Sequence, residues 1–437
     1  MTTEGLTPPI RAIADALGAD VVTAGSTADA IDGIKPDVVI SPRSSDELCE
    51  LLALADTEGL AVAPRGGGTQ LALGNHLERL DVVVDMSALN RVVQHNAADL
   101  TLAVEAGITL ATLRETLAAE GQFLALDAPL PERATIGGTL AAGVSGPLKW
   151  QYGSARDLVI GMKVAQADGR ITQSGGNVVK NVSGYDMARL HVGGLGTLGI
   201  ITEISFKLTP MLRHETTLLA HFDSVSGCLS AALGIFNSGV MPIAMTAFNG
   251  NVGNRIGLED GGGSGDYGLA VRLGGRPRTL RRMENETFFV IREQTPEVDR
   301  LEDEAASLWS QLTDFGYDKD NASVMSARIA VLPNSIDKVA EALAAHNGAA
   351  IVAQPGYGMM NAHWFDDGAA LSETIRSMRT AVHSLGGSLI IERAPLNIKE
   401  SIDVWDYAGE SLEVMRRLKA QYDPNGILNP NRFTGGI

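Results

Sequence analysis

The sequence predicts an α+β protein of two packed units, and three observations predict it. The chain has 437 residues, more than one ordinary hydrophobic core organises. Three Gly-rich loops, Arg65 to Gln70, Asp127 to Trp150 and Ser174 to Gly199, are confined to the stretch between residues 36 and 210. Beyond Pro210 the apolar segments alternate in the pattern of strands and helices, with one Gly-rich run at 261–265. The expected organisation is an N-terminal segment (1–35), a loop-rich unit (36–210), an α+β unit (211–400) and a C-terminal helix with a return segment (401–437).

Ser44 and Ser45 followed by Asp46 and Glu47 form a helix start, with Leu48, Leu51, Leu52 and Ala55 on one face and Gly59 as the stop. A short strand, Leu60 to Ala63, runs into the loop Pro64-Arg65-Gly66-Gly67-Gly68-Thr69-Gln70. Strands 81–85 and 101–105 and a helix 109–120 closed by Gly121 follow. Segments 158–167 and 170–173 make a hairpin around Asp168-Gly169, a dipeptide that accepts the angles of a tight turn. Strand 200–208 stops at Pro210. In the second unit, strands are expected near 216–221, 243–248, 268–273, 324–331, 349–354 and 389–392, with helices 336–345 and 371–385 among them, in an arrangement that suggests two similar halves. The Gly261 to Gly265 run is a surface loop, and a last helix spans 411–422.

The composition excludes several functions. Hydrophobic residues make up 45% and charged residues 20%, a globular and not a disordered profile. A formal charge of −17 is unsuited to gripping a nucleic acid, which is held by clustered Lys and Arg. Cys49 and Cys228 are isolated, with no Cys/His cluster for zinc or an iron–sulfur centre, so no metal is expected. Residues 1–10 lack the layout of a signal peptide, and no apolar run reaches the roughly 20 residues that cross a bilayer. A cytoplasmic location is expected; peripheral attachment to a membrane through a complex would leave no such mark.

The Gly194 to Gly199 segment fits GxGxxG, but a dinucleotide fingerprint needs a strand before it and a helix after it. Here the order is reversed, which argues against a Rossmann site. The loop 65–70 is stronger: three successive glycines after a buried strand let backbone N–H groups converge on an anion. Alone it would read as a turn. Together with Thr135-Ile136-Gly137-Gly138 and Gly193 to Gly199, it points to an extended ligand such as a dinucleotide.

These segments carry a family resemblance. PRGGGTQ (64–70), VEAG (104–107), ATIGGTLAAGVSGP (134–147), YGSARDLVIGMKVAQADG (152–169), NVVKNVSGYD (177–186) and GGLGTLGIITEISFKLTP (193–210) together resemble the FAD-binding domain of the vanillyl-alcohol oxidase / p-cresol methylhydroxylase (PCMH) family. The resemblance implies a PCMH-type FAD-binding domain, then an α+β cap with a ferredoxin-like antiparallel sheet, then a C-terminal segment returning to the FAD domain. It implies noncovalent FAD, with pyrophosphate at Pro64, Arg65, Gly66, Gly67, Gly68, Thr69 and Gln70. Flavin and adenine would be lined by Gly107, Thr135, Ile136, Gly137, Gly138, Ala141, Ser145, Tyr152, Gly196, Gly199, Ile200 and Ile201. Within the family, VVKNVSGYD, MPIAMTAFNG (241–250) and the tail from Asp403 are similar to the FAD subunits of bacterial glycolate oxidases. That similarity implies oxidation of a small 2-hydroxy acid, glycolate to glyoxylate, in a complex with a homologous FAD-linked catalytic subunit and an iron–sulfur subunit.

Family members that oxidise 2-hydroxy acids carry histidines in segments resembling HxGDGNxH and SGEHG. This chain reads QPGYGMMN at 354–361 and LIIERA at 389–394. Abstracting a hydroxyl proton needs a base poised near neutral pH or a Lewis acid, so no catalytic residue is assigned. His363 is expected to be a packing or surface histidine and Glu392 an ion-pair partner of Arg393. Lys180 and Tyr185 are candidates for contact with the ring, equally a solvated lysine and a core tyrosine. His76, beyond the glycine loop, is not expected to hold flavin covalently. The sequon at Asn181 falls inside the proposed cofactor loop and is disregarded. Three roles follow: flavin subunit of a 2-hydroxy acid dehydrogenase complex, free-standing flavin oxidoreductase, or scaffold that has lost its cofactor.

Overall fold

The computed structural model describes residues 7–177, 185–258, 266–318, 322–344, 348–366, 371–406 and 409–437. Lys180, the sequon at Asn181 and the 261–265 glycine run lie outside them. The chain divides into two compact units. The first comprises residues through 145, 154–211 and 399–437; the second comprises 146–153 and 212–398.

The first unit holds a four-stranded sheet in the order Val22–Ala24, Val38–Ile40, Val82–Asp85, Val62–Arg65, of which the last three strands are parallel. Helix Ser45–Glu58 covers it. Ser44 accepts the Glu47 N–H at 3.1 Å, and the helix stops at Gly59 in the left-handed region. Leu48, Leu51, Leu52 and Ala55 are all buried, and they share one core with Ile10 and Ile13 of a further helix, Pro8–Leu17. That first helix lies in the segment for which the sequence suggested no element.

A second, antiparallel sheet of the same unit runs Val92–Asn96, Thr101–Glu105, Ile200–Lys207, Val159–Ala165, Ile171–Gly175. Its inner face, with Leu102, Val104, Ile204 and Phe206, packs on helices Leu110–Ala118 and Ile136–Ala142. The latter helix was read from the sequence as loop, because Gly137 and Gly138 disfavour helix. Tertiary packing overrides that preference: Gly137 N–H donates to Ala106 O at 2.7 Å, and a Cβ there would stand 2.6 Å from the Ala106 Cβ. The C-terminal segment returns to this unit. Val62 N–H donates to Ile427 O at 2.8 Å and Asn429 N–H to Val62 O at 2.9 Å, so Ile427 to Asn429 cover the edge of strand Val62–Arg65 that would otherwise be open.

The second unit is an eight-stranded antiparallel sheet whose order resolves into two copies of one topology. Strand Glu215–Phe222, helix Val225–Asn237, strands Ala244–Asn249 and Tyr267–Gly274, helix Pro277–Arg292 and strand Val298–Leu301 form a βαββαβ unit. Met325–Ala330, Ile336–Ala344, Ala350–Gln354, Met359–Trp364, Leu371–Ser384 and Ser388–Arg393 repeat it. Numbered within each copy, the strands run 4-1-3-2, the ferredoxin-like order. The copies meet at their second strands, Ala247 opposite Ala353 and Phe248 opposite Val352. Segment 146–153 folds here because Trp150 stands edge-on to Phe236 and Tyr357, at 5.8 and 5.6 Å.

Candidate flavin site

Strand Val62–Arg65 ends at the carboxyl edge of the parallel sheet, the edge where open α/β sheets bind ligands. There the loop 66–70 faces a cleft of about 850 Å³, open solvent at its mouth included. Every residue lining it belongs to the first unit.

The glycines of this loop are needed first by the protein itself. A Cβ on Gly66 would lie 2.0 Å from Thr135 Oγ1, and one on Gly67 would lie 1.6 Å from Arg133 O. The first and second Gly-rich loops therefore press backbone against backbone, and Arg133 donates from Nη2 to Gly67 O at 3.1 Å. Thr135 caps helix Ile136–Ala142 by accepting the Gly138 N–H at 3.3 Å. The third loop closes the other side: Gly196 has φ +71, and a Cβ there would meet Pro64 Cγ at 2.8 Å.

The loop's own donors are unpaired. The N–H groups of Gly67, Gly68, Thr69 and Gln70 find no acceptor among the described residues. The Gln70 Nε2 is buried and also without a partner. Buried donors left unpaired are destabilising, and a ligand rich in acceptor oxygens, such as a diphosphate, would satisfy them. Met86, Ala106, Ala141, Ile200 and Ile201 add apolar walls. On these grounds the cleft fits FAD.

Arg65 lines the same cleft but is held by two carboxylates, Nη1 at 2.9 Å from Asp29 Oδ1 and Nη2 at 3.1 Å from Asp85 Oδ2. Burial works to lower its pKa, and these two hydrogen bonds outweigh that and raise it. Asp29 is held low by its hydrogen bonds with Ser26 and Arg65. Arg65 thus fixes the end of the strand.

Of the residues named from the sequence, Pro64, Arg65, Gly66, Gly67, Gly68, Thr69, Gln70, Thr135, Gly137, Gly138, Ala141, Gly196, Gly199, Ile200 and Ile201 come together in the cleft. Gly107, Ile136, Ser145 and Tyr152 are not among its walls. Gly107 has no room for a side chain beneath Met86 O, Ile136 is buried in the core, Ser145 Oγ accepts from the Ala155 N–H at 3.3 Å, and Tyr152 belongs to the second unit. Ile31, Leu73, Leu195, Asn429 and Arg432 are among the lining residues that sequence reasoning missed. The last two of these carried a signal, the return motif Asn429-Pro430-Asn431-Arg432. Tyr185 is 91% exposed and no core tyrosine.

In the second unit, His363 is buried and edge-on to Phe315, with Nδ1 3.3 Å from Ser323 Oγ. Burial pushes its pKa down to about 3. Glu392 is held by the Tyr317 hydroxyl at 3.1 Å and by Arg328 Nε at 3.2 Å, whereas its sequence neighbour Arg393 reaches Ser323 O at 3.4 Å. The expected Glu392–Arg393 pair is thus replaced by a pair across strands. No cluster of His, Cys, Asp or Glu that could hold a metal occurs among the described residues.

Fold and cleft together define a flavoprotein. Residues 36–187 match the FAD binding domain family and residues 398–433 the C-terminal domain of FAD linked oxidases; the chain is an FAD-dependent oxidoreductase. Among its relatives is the glycolate oxidase subunit GlcD of Bacillus subtilis, 26% identical over 424 residues, covering 91% of this chain and 89% of that protein. The D-lactate dehydrogenase of Archaeoglobus fulgidus is 26% identical over 413 residues, covering 90% of each. The mitochondrial D-lactate dehydrogenase [cytochrome] of Arabidopsis thaliana is 35% identical over 205 residues, 47% of this chain and 36% of that one. The fold is similar to that of p-cresol methylhydroxylase with substrate bound (TM-score 0.73, 13% identity, 98% of both chains). It is also similar to alkyldihydroxyacetonephosphate synthase (TM-score 0.70, 18% identity, 98% of this chain and 86% of that one).

Proposed function

We propose that this chain is the flavin-carrying subunit of a complex that oxidises a small 2-hydroxy acid, with glycolate to glyoxylate as the reaction. A homologous FAD-linked subunit would supply the base, and an iron–sulfur subunit would take the electrons onward. The reading is supported by full-length similarity to a glycolate oxidase subunit and to D-lactate dehydrogenases. Bound FAD would supply a two-electron acceptor for the hydride of a CH–OH donor.

The observation that carries the division of labour is the state of the second unit's acid–base groups. Oxidation of a hydroxyl needs a group that takes its proton near neutral pH. His363 is enclosed and neutral, with Nδ1 engaged by Ser323. Glu392 is engaged by Tyr317 and Arg328. The residues of this chain that do act are those of the cleft, which bind and orient the cofactor. No helix among the described residues is long and apolar enough to cross a membrane, so any membrane association would run through the complex.

The test is the visible spectrum of the purified chain before and after anaerobic glycolate or D-lactate, followed by acid precipitation. Yellow protein that releases FAD and is not bleached until the partner subunits are added is the expected result. Bleaching of the chain alone would favour a free-standing oxidoreductase, and failure to take up FAD would sink both.

A further inference from the structure

Two cations from opposite ends of the returning C-terminal segment converge on one carboxylate. Lys399 Nζ lies 2.6 Å from Asp32 Oδ1, and Arg432 Nη1 lies 2.7 Å from Asp32 Oδ2. The side chains are 2%, 5% and 9% exposed for Lys399, Arg432 and Asp32, so the group carries one unit of positive charge that no second carboxylate among the described residues pairs with. Such an excess is unfavourable in a protein interior unless something nearby compensates it. Burial pushes the pKa of both cations down, against the opposing pull of Asp32.

The placement of this charge is informative. Arg432 lines the cleft. Arg432 Nη2 also donates to Leu71 O, and Lys399 Nζ donates to Ala72 O at 3.2 Å. Both cations are therefore anchored on the two residues that directly follow the loop with the unpaired N–H groups. Arg65, on the same cleft, is outnumbered by two carboxylates and offers no positive excess. The backbone is strained where the segment meets the third loop: Leu195, Asn429 and Asn431 have φ of 51, 44 and 71°.

We propose that the Lys399–Asp32–Arg432 group is the counter-charge for the cofactor's pyrophosphate, so that docking of the C-terminal segment and retention of the dinucleotide reinforce one another. Loop N–H groups hold the phosphate oxygens and set their position. The buried cation excess supplies long-range attraction through a low-dielectric wall, and the diphosphate's negative charge relieves it. In an otherwise acidic chain this places positive charge where an anion must enter. The inference rests on reading the cleft as the dinucleotide site.

The test measures equilibrium binding of FAD, ADP and riboflavin to the full-length apoprotein, with variants of opposite sign. Arg432→Met removes the excess and is expected to raise the dissociation constants of FAD and ADP by about tenfold or more, while leaving that of riboflavin, which has no phosphate, unchanged. Asp32→Asn increases the excess and is expected to tighten FAD and ADP binding while lowering the melting temperature. Lys399→Met carries the same expectation as Arg432→Met, should the latter fail to fold. A merely structural tie predicts that all three variants weaken binding, and that riboflavin suffers as much as FAD; either result overturns the proposal. If the unaltered chain takes up FAD but not through a phosphate-dependent term, this inference fails alone; if it takes up none, the reading of the cleft fails with it.

Discussion

Gly67→Ala tests the claim that the glycine loop is shaped by its protein neighbours as much as by its ligand. Gly67 lies outside the left-handed region, so the substitution brings no backbone strain of that kind and isolates sterics. The new Cβ would sit 1.6 Å from Arg133 O and 2.5 Å from Arg133 C. A carbonyl cannot rotate away as a side chain can, so the two loops must separate until that contact exceeds 3.0 Å. Overpacking of this kind costs about 1–3 kcal/mol, and a backbone obstacle puts it at the upper end, about 3 kcal/mol or roughly 100-fold in an equilibrium constant. Because the N–H groups of residues 67–70 are not tied to the protein, the loop gives way and the loss falls mainly on flavin affinity. Quenching of FAD fluorescence, read beside the melting temperature of the apoprotein, separates the two contributions. Gly66→Ala meets a Thr135 hydroxyl that can turn aside, so it loses chiefly the cap on Gly138, about 1 kcal/mol. Gly59→Ala, with φ +69 and nothing within 4 Å, lowers stability and leaves FAD affinity intact. Gly67→Ala protein that binds FAD as tightly as the parent and melts at the same temperature would refute the reasoning.

Two further outcomes follow from buried charge. Lys419 Nζ donates to Thr197 O and Leu428 O, each at 2.9 Å, and pairs at 2.6 Å with Asp423, whose side chain is 0% exposed; Lys419→Met strands that carboxylate, should cost about 3 kcal/mol, and should expose residues after 422 to limited proteolysis, whereas unchanged cleavage would mean that Asp423 is held by the Ile427 and Leu428 N–H groups alone. His191 and His363 have pKa values lowered by burial from 6.5 to about 4 and about 3. Their neutral forms stabilise the fold fully above pH 6.5, and that contribution is lost as pH falls from there towards the folded values. At pH 5 each accounts for about 2 kcal/mol, and His363→Gln should flatten the fall of melting temperature between pH 6.5 and 5; a slope equal to the parent's would assign the acid sensitivity elsewhere.

The helix 45–58 was legible to its last residue, because a cap, an apolar face and a stop glycine are local chemistry. Strands such as 81–85, 101–105 and 200–208 were legible for the same reason, whereas the short strands Val22–Ala24 and Val38–Ile40 and the edge strands Val92–Asn96 and Val298–Leu301 were not. Helix Ile136–Ala142 was not, since its glycines are tolerated only through the contact with Ala106. Nor was Arg65's role: the sequence placed it beside the phosphate site, but Asp29 and Asp85 come from two other segments. The partner of Glu392 was missed because pairing across a sheet brings Arg328 closer than the adjacent Arg393.

By itself the sequence determined that the chain is a flavoprotein of α+β class, since glycine placement, helix punctuation and the order of the matching segments are all written along the chain. Only the tertiary structure decided how the cleft is walled and charged. It brought residues 399 and 432 onto Asp32, added Leu195, Asn429 and Arg432 to the walls of the cleft, and laid Ile427 to Asn429 along the open strand edge. The physical reason is that burial and charge balance depend on what arrives from far along the chain. Neither can be read from a residue and its neighbours in sequence.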